Sequence, residues 1–390
     1  MSEILDLSEI RNEIDKVDNQ IVSLYKKRLE LTGMVAKSKK QTSKPVYDSA
    51  REKAIIDRLT EGLNDMDRGS VALLYNTIFE ISRSRQSAYL YDASGTKSKV
   101  EESIIEASAK KYEFPASPYV ACQGVEGAYS QIACNTLFPS ARIMYFDNFE
   151  SVFKSVNEGL CRYGILPFEN SIHGSVTEVY DLLSQSNVSV VSSVKLPIHH
   201  ALLCKSGASL SDITEIYSHR QAIGQCSDFL NANKKIKVTV CENTAVAAKM
   251  VANSQRTDIA AISSEKCAEL YSLDILKKDL QNSSTNFTMF YCISNELEIY
   301  EGANKAAFMF NIPNRTGALF SILAKFACIG INLTKLESRP ICGKDFEFMF
   351  YAEADTNGLD DKLIKLFAEF EGSMDFFKFI GSYKEISPSL

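Results

Sequence analysis

From Leu7 to about Leu90, apolar residues recur with the period of an α-helix. Steps of four and three alternate along one seam, formed by Ile10, Ile14, Val17, Ile21, Leu24, Arg28, Leu31 and Val35. Such a seam predicts a long helix packed against other helices. A second helix is predicted to begin at Asp48, a natural N-cap residue, and a third to run from about Asp67 to Tyr89.

The rest of the chain shows two other patterns. From Tyr119 to about Ile293, short β-rich runs alternate with helical runs, which indicates an α/β domain. From Ala306 to Tyr383 the order is strand, helix, strand, strand, helix, strand, which predicts a small α+β ferredoxin-like unit. We therefore expect a multidomain protein, with an all-α domain at 1–92, a linker at 93–117, an α/β domain at 118–295 and an α+β domain at 296–390.

Composition narrows the class of protein. With 43 Lys+Arg against 49 Asp+Glu, the net charge is −6, which argues against a protein that coats nucleic acid. No apolar run is long enough to span a membrane, and the acidic N-terminus does not resemble a signal peptide. The ten cysteines include no Cys-x-x-Cys, and no histidine lies beside them at zinc-ligand spacing. We expect a cytoplasmic protein without metal or cofactor.

Arg28 is the one charged residue on the predicted seam. A guanidinium in that position is costly unless an anion meets it. Lys39 is nearly in phase with Arg28, about 16 Å further along the helix, so the two cations could hold a small dicarboxylate between them. Alternatively, Arg28 snorkels to the surface or pairs with a structural glutamate. The pattern alone leaves both interpretations open.

Arg11 adds a constraint of distance. It precedes Arg28 by about 25 Å along the same helix, so the two cannot bind one small ligand within one chain. If both serve the same pocket, one of them comes from a second, antiparallel copy. The spacing therefore predicts a dimer.

These residues, taken with the turn at 45–48, resemble the all-helical chorismate mutase domain. The resemblance implies an interlocked helical dimer in which Arg11 crosses to the partner. It implies that Arg28 and Lys39, with help from Gln86, grip the carboxylates and the ether oxygen of chorismate. It further implies that Glu52 binds the ring hydroxyl and that three more residues contribute to substrate binding, namely Asp48, Arg51 and Ser82.

The chemistry of that reaction suits a pocket of fixed cations. Conversion of chorismate to prephenate is unimolecular and pericyclic, so it requires no nucleophile, base or metal. Its barrier falls when a compact substrate conformer is held and positive charge faces the breaking C–O bond.

The α/β region contains several polar clusters beside predicted strands and helices. The motifs are Gly124 to Ser130, Glu169-Asn170-Ser171, Gly174-Ser175-Val176, Ser218-His219, Gln225-Cys226, and Thr288 with Phe290. Strand ends and helix N-termini are where α/β folds bind ligands. No Gly-x-Gly-x-x-Gly is present, which disfavours a dinucleotide-binding fold.

Together these motifs resemble prephenate dehydratase, a two-lobed α/β fold like that of periplasmic binding proteins. The resemblance implies that the substrate lies in the cleft between the lobes and that Thr288 assists departure of the ring hydroxyl. The residues that would position the substrate are Glu169, Asn170, Ser171, Ser218 and Gln225. Because loss of water and carbon dioxide creates an aromatic ring, the protein mainly has to align the groups and hydrogen-bond the leaving oxygen.

One residue departs from the family pattern. Relatives carry Thr-Arg-Phe where this chain has Thr288-Met289-Phe290. In a strand, residue 289 points away from the face that Thr288 and Phe290 share, so we expect dehydratase activity to be retained. The alternative is a chorismate mutase with an impaired dehydratase domain that acts as a ligand sensor. Arg220 is a candidate substitute cation, and the histidines His199 and His200 are expected to be structural.

The C-terminal unit carries two segments that resemble the effector motifs of the phenylalanine-binding ACT regulatory domain. They are Gly317-Ala318-Leu319-Phe320 and Glu337-Ser338-Arg339-Pro340. The resemblance implies that these domains pair side by side, bind phenylalanine at the seam and lower the dehydratase activity.

The complete interpretation is a bifunctional enzyme of phenylalanine biosynthesis that acts on chorismate and prephenate. We expect it to be a homodimer or a higher homo-oligomer, with no nucleic-acid or membrane partner. Two other classes compete with it. One is an anion-sensing binding protein or transcriptional regulator, whose helices would present a basic surface to DNA, and the other is an interaction scaffold whose sites are relics. Turnover of chorismate distinguishes them.

Overall fold

The computed structural model describes residues 6–42, 44–283, 285–314, 316–341, 347–356 and 358–387. Its helices are α1 (Leu7–Thr42), α2 (Ser49–Leu59), α3 (Asp65–Ser94), α4 (Lys99–Ala109), α5 (Tyr129–Leu137), α6 (Phe149–Asn157), α7 (Thr177–Gln185), α8 (Arg220–Gln225), α9 (Ser227–Ala232), α10 (Thr244–Asn253), α11 (Glu265–Tyr271), α12 (Ala318–Ile329) and α13 (Asp361–Ser373). Its strands are β1 (Tyr119–Gln123), β2 (Arg142–Phe146), β3 (Tyr163–Asn170), β4 (Gly174–Ser175), β5 (Ser189–Pro197), β6 (Ala201–Cys204), β7 (Glu215–His219), β8 (Lys237–Cys241), β9 (Ile259–Ser263), β10 (Asp274–Lys277), β11 (Phe287–Ser294), β12 (Lys305–Ile312), β13 (Leu333–Pro340), β14 (Phe348–Asp355), β15 (Phe377–Tyr383) and β16 (Glu385–Ile386).

The N-terminal region is all-α, as predicted. α2 begins after Asp48, whose carboxylate accepts a hydrogen bond from the Arg51 amide at 3.0 Å. α3 continues past the predicted end at Tyr89, to a left-handed Gly95 with φ of 69°. No helix within the described ranges is long and apolar enough to cross a membrane.

The apolar seam predicted on α1 is exposed to solvent in a single chain. Its apolar members are between 37% and 67% exposed, namely Ile10, Ile14, Val17, Ile21, Leu24, Leu31 and Val35. A contiguous apolar surface of this kind is typical of a protein-protein interface. The helix that was expected to pack on others therefore has one face that its own chain does not cover.

The segment expected to be a linker contains a packed helix. Val100 and Ile104 of α4 are buried in the same core as Leu363 and Phe367 of α13. Further on, the ring of Phe114 stacks on Tyr300 at 4.0 Å. Residues 93–117 are therefore held against the C-terminal half by apolar contacts and do not form a free connection.

The α/β region has two lobes, as predicted. One sheet has the order β16-β5-β11-β3-β1-β2, with β4 beside β3, and the other has the order β10-β6-β9-β7-β8. The chain enters the second lobe after β5 and returns at β11, so two crossings connect the lobes. This arrangement leaves a cleft between them.

The C-terminal unit has the strand and helix order predicted from the sequence. Its antiparallel sheet has the order β13-β14-β12-β15, which places β13 at an edge. α12 begins at Ala318, four residues later than the predicted start at Asn314, because Gly317 has a left-handed backbone with φ of 81°. α12 ends at Gly330, as predicted.

The C-terminal unit shares a hydrophobic core with the first lobe. Residues of both sheets pack together in it, including Val190, Tyr291, Met309, Tyr351 and Tyr383. At Gly381 the two sheets are so close that a Cβ atom would lie 2.0 Å from the Val190 carbonyl oxygen. β16 then pairs with β5 of the lobe. The expected boundary at 295–296 therefore cuts through this core and leaves β16 on the opposite side from the rest of its sheet.

Candidate active sites

Arg28 lies half-buried between α1 and α3. Its Nη1 donates a hydrogen bond to Ser82 Oγ at 2.8 Å, and its guanidinium carbon is 5.5 Å from the centre of the Phe79 ring. Ser82 and Gln86 are both buried. Gln86 Nε2 donates to the Ser82 carbonyl at 3.2 Å, and Gln86 Oε1 has no partner among the described residues. Three residues of the predicted mutase site are thus brought together, and Arg28 meets a hydroxyl group, not a glutamate.

The other cations predicted for this site lie apart from Arg28. Lys39 is half-buried and donates a hydrogen bond to the Val46 carbonyl at 2.6 Å. Arg51 and Arg11 are exposed, and Arg11 lies on the uncovered part of α1. Asp48 serves as the N-cap of α2. Arg11 therefore belongs to no site that a single chain forms among the described residues.

A charge cluster that the sequence reasoning missed surrounds Glu52. Arg83 pairs with Glu52 and with Glu80, and all three side chains are at most 21% exposed. The guanidinium of Arg83 also lies 5.0 Å from the centre of the Tyr47 ring. Arg83 follows Ser82 directly and so falls outside the helical stripe of Ser82 and Gln86. Because the site prediction followed the stripe of Ser82 and Gln86, it did not include Arg83, and the only sequence signal for Arg83 was that it lies next to Ser82.

The cleft between the two lobes has a volume of about 530 Å³. Of the residues predicted to act in the dehydratase reaction, Asn170, Gln225 and Thr288 line it. The other polar lining residues come from both lobes and are Gln123, Tyr129, Ser130, His173, Ser175, Thr177, Glu178, His200, His219, Gln221, Glu242, Asn243 and Thr244.

Asn170 and Thr288 form the best-defined polar contact of the cleft. They lie opposite each other on β3 and β11, and Asn170 Nδ2 donates to Thr288 Oγ1 at 2.9 Å. The amide orientation follows from Asn170 Oδ1, which accepts the backbone N–H groups of Ile172 and His173, each at 3.0 Å. Since the Thr288 oxygen accepts from Asn170, its own hydrogen can be donated to a ligand.

Two histidines of the cleft are linked through Gln225. His200 Nε2 lies 2.8 Å from Gln225 Oε1, and Gln225 Nε2 lies 3.2 Å from His173 Nδ1. Burial lowers the pKa of His200, and burial with the nearby charge of Arg220 lowers the pKa of His219. His200, which we expected to be structural, therefore lies in the cleft as a hydrogen-bonding group.

Three residues predicted to position the substrate lie outside the lining of the cleft. Glu169 pairs with Lys335, because β3 continues through Asn170 and adjacent strand residues point to opposite faces. Ser171 donates to the Thr285 carbonyl at 2.9 Å and accepts from the Phe287 amide at 2.9 Å. Ser218 is buried and donates to the Ile262 carbonyl at 2.7 Å. Their side chains are occupied by contacts within the fold.

The family arginine that Met289 replaces would not point into the cleft. Thr288 and Phe290 line the cleft, whereas Met289 packs against the core that the first lobe shares with the C-terminal unit. Arg220, considered as a substitute cation, is not among the lining residues. The change at residue 289 therefore removes no group from the cleft.

The described lining of the cleft contains no lysine or arginine. The N-termini of α5, α7 and α10 border the cleft from both lobes, since their first residues are among its lining residues. Free N–H groups at helix N-termini bind anions such as carboxylates. The described residues also contain no cluster of His, Cys, Asp or Glu that could hold a metal ion.

The predicted effector residues lie on two elements of the C-terminal unit. Gly317 precedes α12, Leu319 packs against the core, and Phe320 is 39% exposed. Ala318 lines a second cavity, of about 550 Å³, between α3 and the C-terminal unit. On β13, the residues are Glu337, Ser338, Arg339 and Pro340, of which Glu337 and Arg339 contact the first lobe of the α/β domain.

Known proteins resemble both regions. Residues 10–87 match the family model for chorismate mutase type II, and residues 120–298 match that for prephenate dehydratase. An arogenate dehydratase/prephenate dehydratase of Arabidopsis thaliana is 36% identical over 68% of this chain and 72% of its own length. The prephenate dehydratase of Arthrobacter aurescens, solved in complex with L-Phe, superposes with a TM-score of 0.62 at 26% identity over 68% of this chain and 89% of its own.

A third relative spans nearly the whole chain. The bifunctional chorismate mutase/prephenate dehydratase of Enterobacter agglomerans is 29% identical over 97% of this chain and 95% of its own length. Both matched regions therefore occur together in one known type of protein. The chain belongs to the bifunctional chorismate mutase/prephenate dehydratases, enzymes that join an isomerase and a lyase on one polypeptide.

Proposed function

We propose that Arg28, Lys39, Gln86 and a partner's Arg11 catalyse chorismate rearrangement, and that Thr288 donates a hydrogen bond to the hydroxyl that leaves prephenate. The observation that carries the proposal is the Asn170–Thr288 contact at 2.9 Å inside a cleft between two lobes. Asn170 occupies the threonine oxygen, so the threonine hydrogen is directed to the ligand. The bond to the ring carboxylate breaks and its electron pair completes the aromatic ring, carbon dioxide departs, and the leaving hydroxide takes a proton from solvent and becomes water.

The mutase half of the proposal is supported by the environment of Arg28. The guanidinium is held on the buried Ser82 hydroxyl at 2.8 Å, beside a glutamine with an unpaired oxygen. A fixed, partly buried cation stabilises negative charge on the breaking C–O bond more strongly than a solvent-exposed cation does. Since Arg83 already pairs with Glu52, binding of the ring hydroxyl by Glu52 would be shared with that ion pair.

A homodimer is part of the proposal. The exposed seam on α1 matches the need for a second copy, and the same copy would bring Arg11 to the site that Arg28 occupies. A larger homo-oligomer is compatible with the open edge of β13.

We also propose that phenylalanine lowers the dehydratase activity by binding to the C-terminal unit as an ACT domain. Support comes from the two motif segments, the βαββαβ order and the L-Phe complex of the Arthrobacter relative. The coupling expected for such an effector is about 1–3 kcal/mol. The proposed location is the cytoplasm, where the free thiols of the described cysteines would remain reduced.

One experiment tests the whole proposal. The full chain is supplied with chorismate, and prephenate and phenylpyruvate are followed with and without phenylalanine. Both products should form, and phenylalanine should slow only the second step. Formation of prephenate without phenylpyruvate would favour the alternative of an impaired dehydratase, and no turnover of chorismate would overturn the mutase assignment.

A further inference from the structure

Three side chains of β13 cross from the C-terminal unit to the dehydratase domain. They alternate along the strand and so share one face. Lys335 Nζ is 2.6 Å from Glu169 Oε2, Glu337 accepts a hydrogen bond from Ser175, and Arg339 Nη2 is 3.2 Å from Asp181 Oδ2. β13 therefore contacts the chain continuously from the end of β3 into α7.

The Lys335–Glu169 pair is more enclosed than the Arg339–Asp181 pair, whose side chains are 25% and 51% exposed. The Lys335 side chain is 14% exposed and that of Glu169 is 42% exposed. The ammonium also lies 4.9 Å from the centre of the Phe168 ring and 5.5 Å from that of Tyr180. An ion pair at this depth is screened less by water than a surface pair, so its loss has a larger effect.

Among the described residues of its own sheet, Glu169 has no counter-ion. Its neighbour on β11 is Met289, which carries no charge. Lys195, the neighbour of Met289 on β5, lies over the Phe287 ring at 5.0 Å instead. The positive charge at Glu169 thus comes from a residue far away in the sequence and in another unit.

Glu169 directly precedes Asn170, which holds Thr288. The pairs Met289–Glu169 and Thr288–Asn170 are consecutive rungs of the β11–β3 ladder, beside a register shift at Phe290. We propose that Lys335 is a positioning residue of the dehydratase reaction. Its ammonium fixes Glu169, and Glu169 fixes the end of β3 that presents Asn170 to Thr288. This inference rests on the proposed role of Thr288.

The test compares Lys335→Met with the parent in the full chain. The variant keeps an unbranched side chain of similar length but removes the charge. Its dehydratase kcat should fall about ten-fold, because even small misplacement of reacting groups is costly, and its chorismate turnover should not change. The matched control is Lys305→Met, since Lys305 pairs with Asp355 at 3.0 Å on the same sheet and is 19% exposed.

A positive charge placed on β11 tests whether the charge of Lys335 matters, or only the packing of its side chain. Met289→Arg places a guanidinium opposite Glu169, so the double variant Lys335→Met with Met289→Arg should recover most of the lost kcat. Parental kcat in Lys335→Met, or a loss that Met289→Arg does not restore, would overturn the inference.

A readout that needs no turnover separates this inference from the proposed function. Amide hydrogen exchange of the peptide 166–173 should be faster in Lys335→Met than in the parent and in Lys305→Met. If Thr288→Val keeps full activity, the proposed site is wrong, but faster exchange in Lys335→Met still supports the role of Lys335 in fixing the end of β3. Unchanged exchange in Lys335→Met would contradict this role of Lys335, even if the enzyme is active.

Discussion

The mutase helices and the dehydratase cleft accept successive anions of one pathway with different electrostatics. Around the first site, Arg28, Lys39 and Arg83 supply full positive charges on helices. The described lining of the second contains imidazoles, amides, hydroxyls and two carboxylates, Glu178 and Glu242, and it lies beside the N-termini of α5, α7 and α10. The rearrangement accumulates charge on a breaking C–O bond, whereas the elimination is driven by formation of the ring. The difference follows the demands of the two reactions.

The two sites also differ in how much one chain supplies. Both walls of the dehydratase cleft come from the same polypeptide. The mutase helix instead leaves an apolar seam and Arg11 exposed. The first reaction is thus expected to depend on assembly and the second on the closure of two lobes.

The largest expected effect is at Arg28. Arg28→Ala should lower chorismate turnover by about 10³-fold or more, because it removes the cation held closest to Ser82 and Gln86. Conversion of added prephenate should stay at the parental rate. Circular dichroism checks that helix content is unchanged, and Lys27→Ala, an exposed neighbour on α1, is the control. A mutase rate that survives Arg28→Ala would mean that the first reaction does not depend on this full positive charge.

The corresponding change in the cleft is Thr288→Val, which keeps the shape of the side chain and deletes the hydroxyl. We expect dehydratase kcat to fall by about 10²-fold, since one hydrogen-bond donor to the leaving oxygen is lost. Mutase turnover should be unaffected. Thr136→Val on α5 provides the same chemical change away from the lining residues, and equal rates in both variants would contradict the role of Thr288.

Mixing experiments test whether the mutase site is shared. Arg11→Ala and Arg28→Ala chains are each expected to be inactive, but refolded together they should regain roughly a quarter of the parental mutase rate. That is the fraction of sites in a random mixture of dimers that carries neither substitution. No recovery would contradict a mutase site built from Arg28 of one chain and Arg11 of the other.

The smallest expected effect is that of pH on the cleft. Because the pKa values of His200 and His219 are lowered, both are neutral at pH 7, and raising the pH removes no charge from them. The dehydratase kcat/KM should therefore vary by less than about two-fold between pH 7 and 8.5.

A variant at His173 tests the third histidine of the cleft separately from His200 and His219. His173→Asn removes the remaining histidine of the cleft, and its profile should also be flat. A steep decline that persists in His173→Asn would show that His200 or His219 binds substrate as a cation. The cleft would then be closer to the mutase site in its electrostatics.

The sequence predicted features that depend on local period and spacing. The N-cap at Asp48, the end of α12 at Gly330 and the common stripe of Ser82 and Gln86 are all present. These follow from neighbours within a few residues along one element. The hydrogen bond between Arg28 and Ser82 was not predicted from the pattern, since only the resemblance to the chorismate mutase domain assigned both residues to one site.

Features that depend on distant parts of the chain were not predicted. Glu169 was expected in the cleft because the strand was taken to end before it, but β4 and β11 extend the ladder through Asn170. Its pairing with Lys335 joins residues 166 positions apart, which no local pattern encodes. Likewise, the amphipathic pattern from Val100 to Tyr112 indicates an apolar face, but not that this face packs on α13.

The contact at Gly381 has a consequence for how the gene can be shortened. A stop codon after Ser294 would strip the apolar cover that Met309, Tyr351 and Tyr383 place over Tyr291, and it would delete the strand that completes the lobe's sheet. The truncated chain would expose this apolar surface and would be prone to aggregation, whatever the effect of the truncation on regulation. The C-terminal unit is thus a structural part of the dehydratase domain, whatever it binds.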